Sequence, residues 1–359
     1  MNTKEKIAYQ VSTKIPEPYY SYVRERNGNV SVGLARIIGI PYLGLITDDP
    51  AKNNLYHVLA RTITRQPRTL NEQDFYGLGV ESQIHVGKAM LHPNYSHSAP
   101  SFYSAEFARY VTENELVLPG YTAFTKESAV DAYDDFAHKY QYNVRIKLTN
   151  ESDGNGQIAV NDRTEASRAL RGFSDDEFVN NGVVIEHNLN EPVTISAGLV
   201  YVDGQTYCFL ARQKDDKAPE DGRNRYRGAS VMLVRGNFKD LSDRTRDSVE
   251  QVAVKKVHAF YKAYSYFDPS ASRISFDVLF GLNDRGSMLS GVTDITGRVG
   301  GTDPILIEII KRLNRDLTFG TGEVNLNYEP QELQPYEENA ALYINQPSLR
   351  ISARVNKIL

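Results

Sequence analysis

The sequence predicts a mixed fold, with an α/β lobe at the N-terminus followed by two α+β lobes. Stretches with helical spacing alternate with strand-like stretches from about residue 101 onward. The pair Asp203-Gly204 stands between two apolar runs, which is a strong signal for a β-hairpin. We place the lobes at residues 1–100, 101–180 and 181–359.

Composition places the chain among soluble globular proteins. It has 359 residues, of which 41% are hydrophobic and 24% charged, and a formal charge of -4, so nothing supports a nucleic-acid surface. The single cysteine, Cys208, excludes an internal disulfide and a cysteine-based zinc cluster. The first ten residues lack the apolar core of a signal peptide, and the most apolar run, Val32–Ile46, is interrupted and short for a membrane span. We expect a cytoplasmic protein without a membrane segment.

The first hundred residues show fewer signals. Two apolar stretches predict strands, Ile40–Asp49 as a buried strand and Gln83–Leu91 as a second one. With the apolar run before Ile40 as a helix that turns into the strand, they indicate a small α/β lobe.

Residues 101–180 are predicted to hold three helices and a hairpin. Thr125 is a candidate N-cap, and Asp162 followed by Glu165 resembles a capping box. The expected helices are Ser101–Leu116, Thr125–Tyr140 and Arg163–Phe173, and the hairpin strands are Tyr142–Leu148 and Gln157–Val160.

The remaining residues predict a larger sheet with two helices. Ser242–Tyr264 has a broad apolar stripe and reads as one long helix, and Asp303-Pro304 supplies an N-cap and first turn for another. The last forty residues, which contain three prolines, are expected to be a tail that packs back on the body. The expected strands are Gly182–His187, the hairpin Val193–Gln213, Val231–Gly236, and two strands within Arg273–Arg298 that turn at Asn283–Gly286.

Polar residues stand at defined points of this pattern. Lys147 lies on a strand that enters a loop with Gly154 and Gly156, and Glu186 lies near the end of the strand Gly182–His187. Asp277 lies inside the apolar strand "SFDVLF", where a carboxylate needs a partner such as a metal ion or another cation. The alternative is that these groups are surface residues and structural ion pairs. A segment further on, "DITGR", contains Asp294, Thr296 and Arg298.

The order of these residues resembles the ATP-grasp superfamily, which includes biotin carboxylase and the D-alanine–D-alanine ligases. In that family a lysine strand precedes a glycine-rich lid, an acid ends a hinge strand, and two acids on paired strands hold magnesium. The second acid there belongs to a motif that reads Glu, apolar, Asn, any residue, Arg. The resemblance extends from Ser101 to Leu313, and this chain would be a divergent member.

The resemblance implies cofactors and roles for these residues. The cofactors would be ATP and Mg²⁺, with the metal held by Asp277 and Asp294. Arg298 would act on the transferring group and Arg212 would reach phosphate. The implied nucleotide contacts are Lys147, Ser152, Gly154, Gly156, Glu186 and His187.

By the same resemblance the reaction would be ATP-dependent joining of a carboxylate to an amine through an acyl-phosphate. A nucleotide-binding protein without turnover and a kinase on the same fold remain alternatives, as does an α+β protein with no nucleotide site. The substrates would be small molecules, with the loop arginines Arg223, Arg225 and Arg227 a candidate receptor for an anionic one, and a homodimer is possible by analogy with many relatives.

Two departures from the family pattern bear on catalysis. Asp294 and Thr296 stand where the family has Glu and Asn. A second phosphate-binding lysine, which the family has upstream, is absent from its expected region, and Lys126, His97 and Arg109 are the substitutes considered.

Overall fold

The computed structural model describes most of the chain and contains four β-sheets in that part. The described residues are 6–9, 19–46, 55–64, 71–96, 98–140, 143–151, 156–217, 224–313, 319–330 and 345–355. Within them, no helix is long and apolar enough to cross a membrane.

The N-terminal lobe is an α/β layer, as predicted. Its main sheet has four parallel strands in the order β2-β1-β3-β5, and helix α1 packs against it. The elements are β1 (Lys6–Tyr9), α1 (Tyr19–Ile38), β2 (Tyr42–Leu45), β3 (Leu55–Val58), β4 (Ile63–Thr64), β5 (Phe75–Tyr76) and β6 (Leu78–Val80).

Two predictions for this lobe were wrong in part. The strand expected within Ile40–Asp49 forms as β2, but it is the edge of the sheet, so Tyr42 and Leu43 are 44% and 47% exposed. Gln83–Leu91 forms two short 3₁₀ helices, Gln83–Val86 and Lys88–Leu91, instead of a strand. A short apolar run fits either structure, and here the Ser82 hydroxyl accepts a hydrogen bond from the backbone N–H of Ile84, which starts the helical turn.

The middle lobe is an antiparallel sheet in the order β7-β10-β8-β9, with helices packed on one face. Both predicted N-caps are confirmed: Thr125 Oγ1 accepts from the Ser128 N–H at 3.1 Å and Asp162 Oδ1 from the Glu165 N–H at 2.8 Å. The capping box is only half formed, because the Glu165 carboxylate accepts from the Asn161 N–H at 2.9 Å and not from that of Asp162. The elements are α2 (Ala105–Glu113), β7 (Gly120–Ala123), α3 (Lys126–Tyr140), β8 (Val144–Leu148), β9 (Gln157–Val160), α4 (Arg163–Gly172), α5 (Asp175–Asn181) and β10 (Val183–His187).

The large lobe is a seven-stranded antiparallel sheet in the order β16-β15-β11-β12-β13-β17-β18. One face packs on α1 and α8 and the other on α7, which produces two separate cores. The elements are β11 (Asn190–Val202), β12 (Gln205–Lys217), β13 (Asn224–Arg235), α6 (Phe238–Arg244), α7 (Ser248–Tyr264), β14 (Ser270–Ala271), β15 (Arg273–Leu282), β16 (Met288–Thr296), α8 (Asp303–Arg312), β17 (Phe319–Pro330) and β18 (Asn345–Val355).

In this lobe the predicted hairpin is confirmed, and the prediction of one long helix is wrong. Asp203 and Gly204 have φ of 50° and 74°, the left-handed geometry of a two-residue hairpin. The single helix expected over Ser242–Tyr264 is two helices, because Asp247 accepts from the N–H groups of Val249 and Glu250 and starts α7 anew. The C-terminal tail contributes β17 and β18, the last two strands of the sheet.

Candidate active site

A cavity of about 260 Å³ lies where the three lobes meet. Its walls come from Arg61 and Thr62, from the first 3₁₀ helix and the start of the second at Lys88, from Thr149–Glu151 after β8, and from Asp294–Arg298 at the end of β16. Because these segments belong to different lobes, a ligand in the cavity would contact all three.

Asp277 and Asp294 face each other directly across β15 and β16. Ser196 Oγ donates to Asp277 Oδ1 at 2.6 Å, and Gln213 Nε2 lies 3.4 Å from Oδ2. A bulge follows this pair, between Asp277 and Val278. Like charges directly opposite each other destabilise a sheet. A cation bound by the pair would offset this repulsion.

The pKa of Asp277 also reflects the repulsion between the two carboxylates. Burial and the neighbouring Asp294 raise the pKa of Asp277 to about 6, although Ser196 and Gln213 stabilise its charged form. Among the described residues there is no group of three His, Cys, Asp or Glu side chains that could hold a metal. Two carboxylates fit Mg²⁺, which typically takes one or two protein carboxylates and completes its shell with substrate phosphates and water.

The raised pKa of Asp277 predicts a pH-dependent stability in protein kept free of divalent metal. The folded state holds the proton more tightly than the unfolded chain, so the stabilisation is complete below pH 3.8 and is lost as the pH rises through about 6. Asp277→Asn removes this loss. The free energy of unfolding of the Asp277→Asn variant minus that of wild type should therefore rise by up to about 3 kcal/mol between pH 4 and pH 7.5. Denaturant titrations of both proteins with EDTA measure it, and a difference that does not vary with pH would contradict the raised pKa.

A second buried cluster lies on β8 and β10. Lys147 Nζ contacts Glu186 Oε1, and His92 Nε2 lies 3.1 Å from Glu186 Oε2. Each of the three residues is 3% exposed or less. Burial alone would raise the pKa of Glu186, but Lys147 and His92 outweigh it and hold the pKa at about 2. Burial lowers the pKa of Lys147, and Glu186 opposes that shift, so the pair is held as ions.

Lys88 places an amine in the cavity wall. Its Nζ donates to the backbone oxygen of Glu151 at 2.5 Å and lies 3.5 Å from Asp294 Oδ1. Burial is the main cause that lowers the pKa of Lys147, and the charge of Lys88 acts in the same direction. The expected upstream region held no lysine; Lys88 lies further upstream and lines the cavity.

A buried ion pair, Arg273–Asp303, contacts the backbone at the end of β16. Arg273 Nε donates to Asp303 Oδ1 at 3.0 Å, and Arg273 Nη1 donates to the backbone oxygen of Thr296 at 2.6 Å. Tyr76 Oη and the Gly300 N–H donate to the same Asp303 carboxylate, each at 2.5 Å. Asp303 was predicted as the N-cap of α8; it is the first residue of that helix, and its carboxylate is used for this network instead.

Of the predicted site residues that the structure describes, Asp294 and Arg298 line the cavity, and Asp277, Lys147, Glu186 and Gly156 are not among its lining residues. Arg212 and His187 lie on the opposite faces of their sheets from the two carboxylate clusters. Arg212 is on the face of the sheet opposite Asp277, where its guanidinium pairs with Glu250 at 3.2 Å and Asp247 at 3.5 Å at the start of α7. His187 points to the face of β10 opposite Glu186, and its ring packs edge-on against Phe136 of α3.

The glycine loop is described at its two ends, Thr149–Glu151 and Gly156. Gly156 has φ of 62° and its backbone oxygen accepts from the Leu148 N–H at 2.8 Å, which closes the loop onto β8. Ser152, Gly154, His97 and Arg223 lie outside the described residues, as does the side chain of Arg225. Lys126 pairs with Asp175 at 3.0 Å, and neither Lys126, Arg109 nor Arg227 is among the residues that line the cavity.

The sequence did not identify Lys88, His92, Ser196 and Gln213 as site residues. Lys88 lay inside a stretch interpreted as a strand, and a lysine within an apolar run was the signal available for it. His92 showed no metal-binding spacing. Ser196 and Gln213 reach Asp277 only through strand pairing, for which the sequence offers no local signal.

Comparisons with solved structures agree with this architecture. N5-carboxyaminoimidazole synthetase from Staphylococcus aureus matches with a TM-score of 0.53 and 10% identity, over 99% of this chain and 96% of that one. D-alanyl-alanine synthetase A from Vibrio cholerae matches with a TM-score of 0.50 and 11% identity, over 82% of this chain and 89% of that one. Both are ATP-grasp enzymes, so the fold predicted from the motif order is confirmed.

Family membership follows from the sequence itself. No curated protein matches the chain. A family model described as "Protein of unknown function (DUF3182)" matches residues 20–343. The chain therefore belongs to the DUF3182 family and has the ATP-grasp fold.

Proposed function

We propose that the protein is an ATP-dependent ligase that joins a carboxylate to an amine. The observation that carries the proposal is the pair Asp277–Asp294, whose second member lines a cavity that also contains Lys88 and Arg298. Two carboxylates beside two cations match a polyanion bound with a divalent metal ion. The two ATP-grasp enzymes named above, both synthetases by their names, support the same kind of reaction.

The nucleotide binds between the lobes in this proposal. Lys88 and Lys147 would attract its phosphates, and Ser152, Gly154 and Gly156 are the proposed loop contacts to them. Both carboxylate oxygens of Glu186 are already engaged, so Glu186 acts by holding Lys147 charged and in place.

The chemistry proceeds in two transfers. An oxygen of the substrate carboxylate attacks the γ-phosphorus of ATP, and ADP leaves. The amine nitrogen then attacks the acyl carbon, phosphate leaves with the electron pair of the C–O bond, and the nitrogen loses a proton to solvent. Arg298 stabilises charge on the transferring group. Asp277 and Asp294 would hold Mg²⁺, which neutralises phosphate charge. Arg212 has no part here, because it lies on the other face of the sheet.

Lys88 offers a direct test of nucleotide binding. Lys88→Met keeps an apolar stem but removes the ammonium, so the dissociation constant for Mg-ATP should rise roughly ten- to hundredfold, the cost of a charged hydrogen bond. Lys255→Met, an exposed position on α7, is the matched control and should leave the affinity unchanged. Calorimetric titration measures both. Equal affinity in the two variants would remove Lys88 from the nucleotide site.

The reaction itself is tested by phosphate release from Mg-ATP over a panel of carboxylate and amine pairs. A ligase forms ADP and inorganic phosphate only when both substrates are present. With γ-labelled ATP, a kinase leaves the label on an organic product. A protein that only binds nucleotide forms no ADP with any pair, and that result would contradict the proposal.

A further inference from the structure

Two segments from different lobes run side by side at the mouth of the cavity. The Val299 N–H donates to the backbone oxygen of Leu59 at 3.1 Å. Two residues away, Gly297 approaches so closely that a Cβ there would lie 2.9 Å from Thr62 Oγ1 and 2.4 Å from Leu78 Cδ2. Glycine at 297 therefore allows the turn after β16 to dock against residues 59–62 of the N-terminal lobe.

This docking brings two arginines to one place. Arg61 precedes Thr62, Arg298 follows Gly297, and both line the cavity. Arg298 donates to the backbone oxygen of Val299 at 3.4 Å, and no carboxylate of the described residues forms an ion pair with either guanidinium. An anion bound in the cavity would supply the counter-ion that these guanidinium groups lack among the described residues.

We propose that Arg61, in the wall of the same cavity as Arg298, binds an anionic group of the substrate that does not react, a carboxylate or a phosphate. This deepens the proposed function, since it makes one of the two joined molecules a small acid that keeps its charge in the product. A guanidinium presents its N–H donors as a planar fork that matches both groups. The exposed position of Arg61 lets a substrate reach it from solvent, and Thr62 and Gln83, which line the cavity with it, are neutral.

Arg61 is then a specificity residue. Asp294 lies four residues before Arg298 on the same wall of the cavity, so the reacting end of the substrate would lie toward the carboxylate pair and the anionic end toward Arg61. Replacing Arg61 should weaken substrate binding and leave nucleotide binding intact.

The test measures anion binding without turnover. Malonate and glycerol phosphate are titrated calorimetrically into wild type, Arg61→Gln and Arg168→Gln, with Mg²⁺ and a non-hydrolysable ATP analogue, and again without nucleotide. Arg168 is an exposed arginine of α4 and is the matched control. Wild type and Arg168→Gln should bind at least one of the anions equally, and Arg61→Gln should bind it roughly ten- to hundredfold more weakly. Which anion binds identifies the group.

Two results would overturn the proposal: wild type that binds neither anion under either condition, or Arg61→Gln that binds as wild type does. Titration of the analogue in the same samples reports on the proposed function separately. If the analogue fails to bind, the nucleotide site is refuted, and the nucleotide-free titrations still decide whether Arg61 binds an anion.

Discussion

Asp277→Asn is expected to lower kcat of the ligase reaction by two to three orders of magnitude, the loss typical of removing one preorganised electrostatic contact. Asp277 is the more enclosed member of the facing carboxylate pair, fixed by Ser196 at 2.6 Å. Its amide replacement keeps the shape but loses the negative charge that would hold the metal. Steady-state phosphate release with the substrate pair found by screening measures the effect.

Two further variants make that result specific. Ser196→Ala removes one hydrogen bond to Asp277 and should lower kcat only a few-fold, because the carboxylate stays in place. Asp243→Asn changes an exposed carboxylate of α6 and should have no effect. An Asp277→Asn protein that is folded and keeps kcat within threefold of wild type would contradict a catalytic role for the pair.

Asp303→Asn should cost about 3–5 kcal/mol of unfolding free energy, the usual result of breaking a buried ion pair from one side. Arg273 and Asp303 are 1% and 0% exposed, so the remaining guanidinium would keep its charge out of contact with water. Denaturant titration at neutral pH measures the loss. Because Arg273 also holds the backbone of Thr296, the same variant should weaken Mg-ATP binding.

A surface pair of the same charge type is the control. Lys239 and Asp243 pair at 2.7 Å with side chains 75% and 62% exposed, so solvent screens the pair and Asp243→Asn should change stability much less than Asp303→Asn. The double variant Arg273→Met, Asp303→Asn leaves no unpaired charge and keeps an acceptor oxygen for Tyr76 and Gly300, so it should recover part of the loss. If Asp303→Asn cost as little as Asp243→Asn, the buried pair would not be the support of the turn.

The parts of the fold set by local chemistry could be predicted from the sequence. Asp203-Gly204, Thr125 and Asp162 each determine their structure through backbone atoms within a few residues. The strands around Asp277 and Asp294 were also recognised, and with them the possibility of a facing pair. Their register, which makes the two carboxylates directly opposite, follows from sheet pairing.

The parts set by contacts between distant segments could not be predicted. Arg212 was assigned to phosphate, but side chains alternate along a strand, and a one-residue offset places it on the face of α7. Lys88 reaches the site because residues 83–91 form 3₁₀ turns, a choice that an apolar run does not determine. Arg61 carries no motif, and only the docking of Thr62 against Gly297 brings it near Arg298.

The central claim is a site for Mg²⁺ and ATP built on Asp277. Thermal unfolding of wild type and Asp277→Asn, with and without Mg-ATP, tests it most directly. At about 100 times its Kd the nucleotide should stabilise wild type by about 2.7 kcal/mol, a rise in Tm of a few degrees, and the rise should shrink in the variant. No change in wild type at millimolar Mg-ATP, or the same change in both proteins, would contradict the claim.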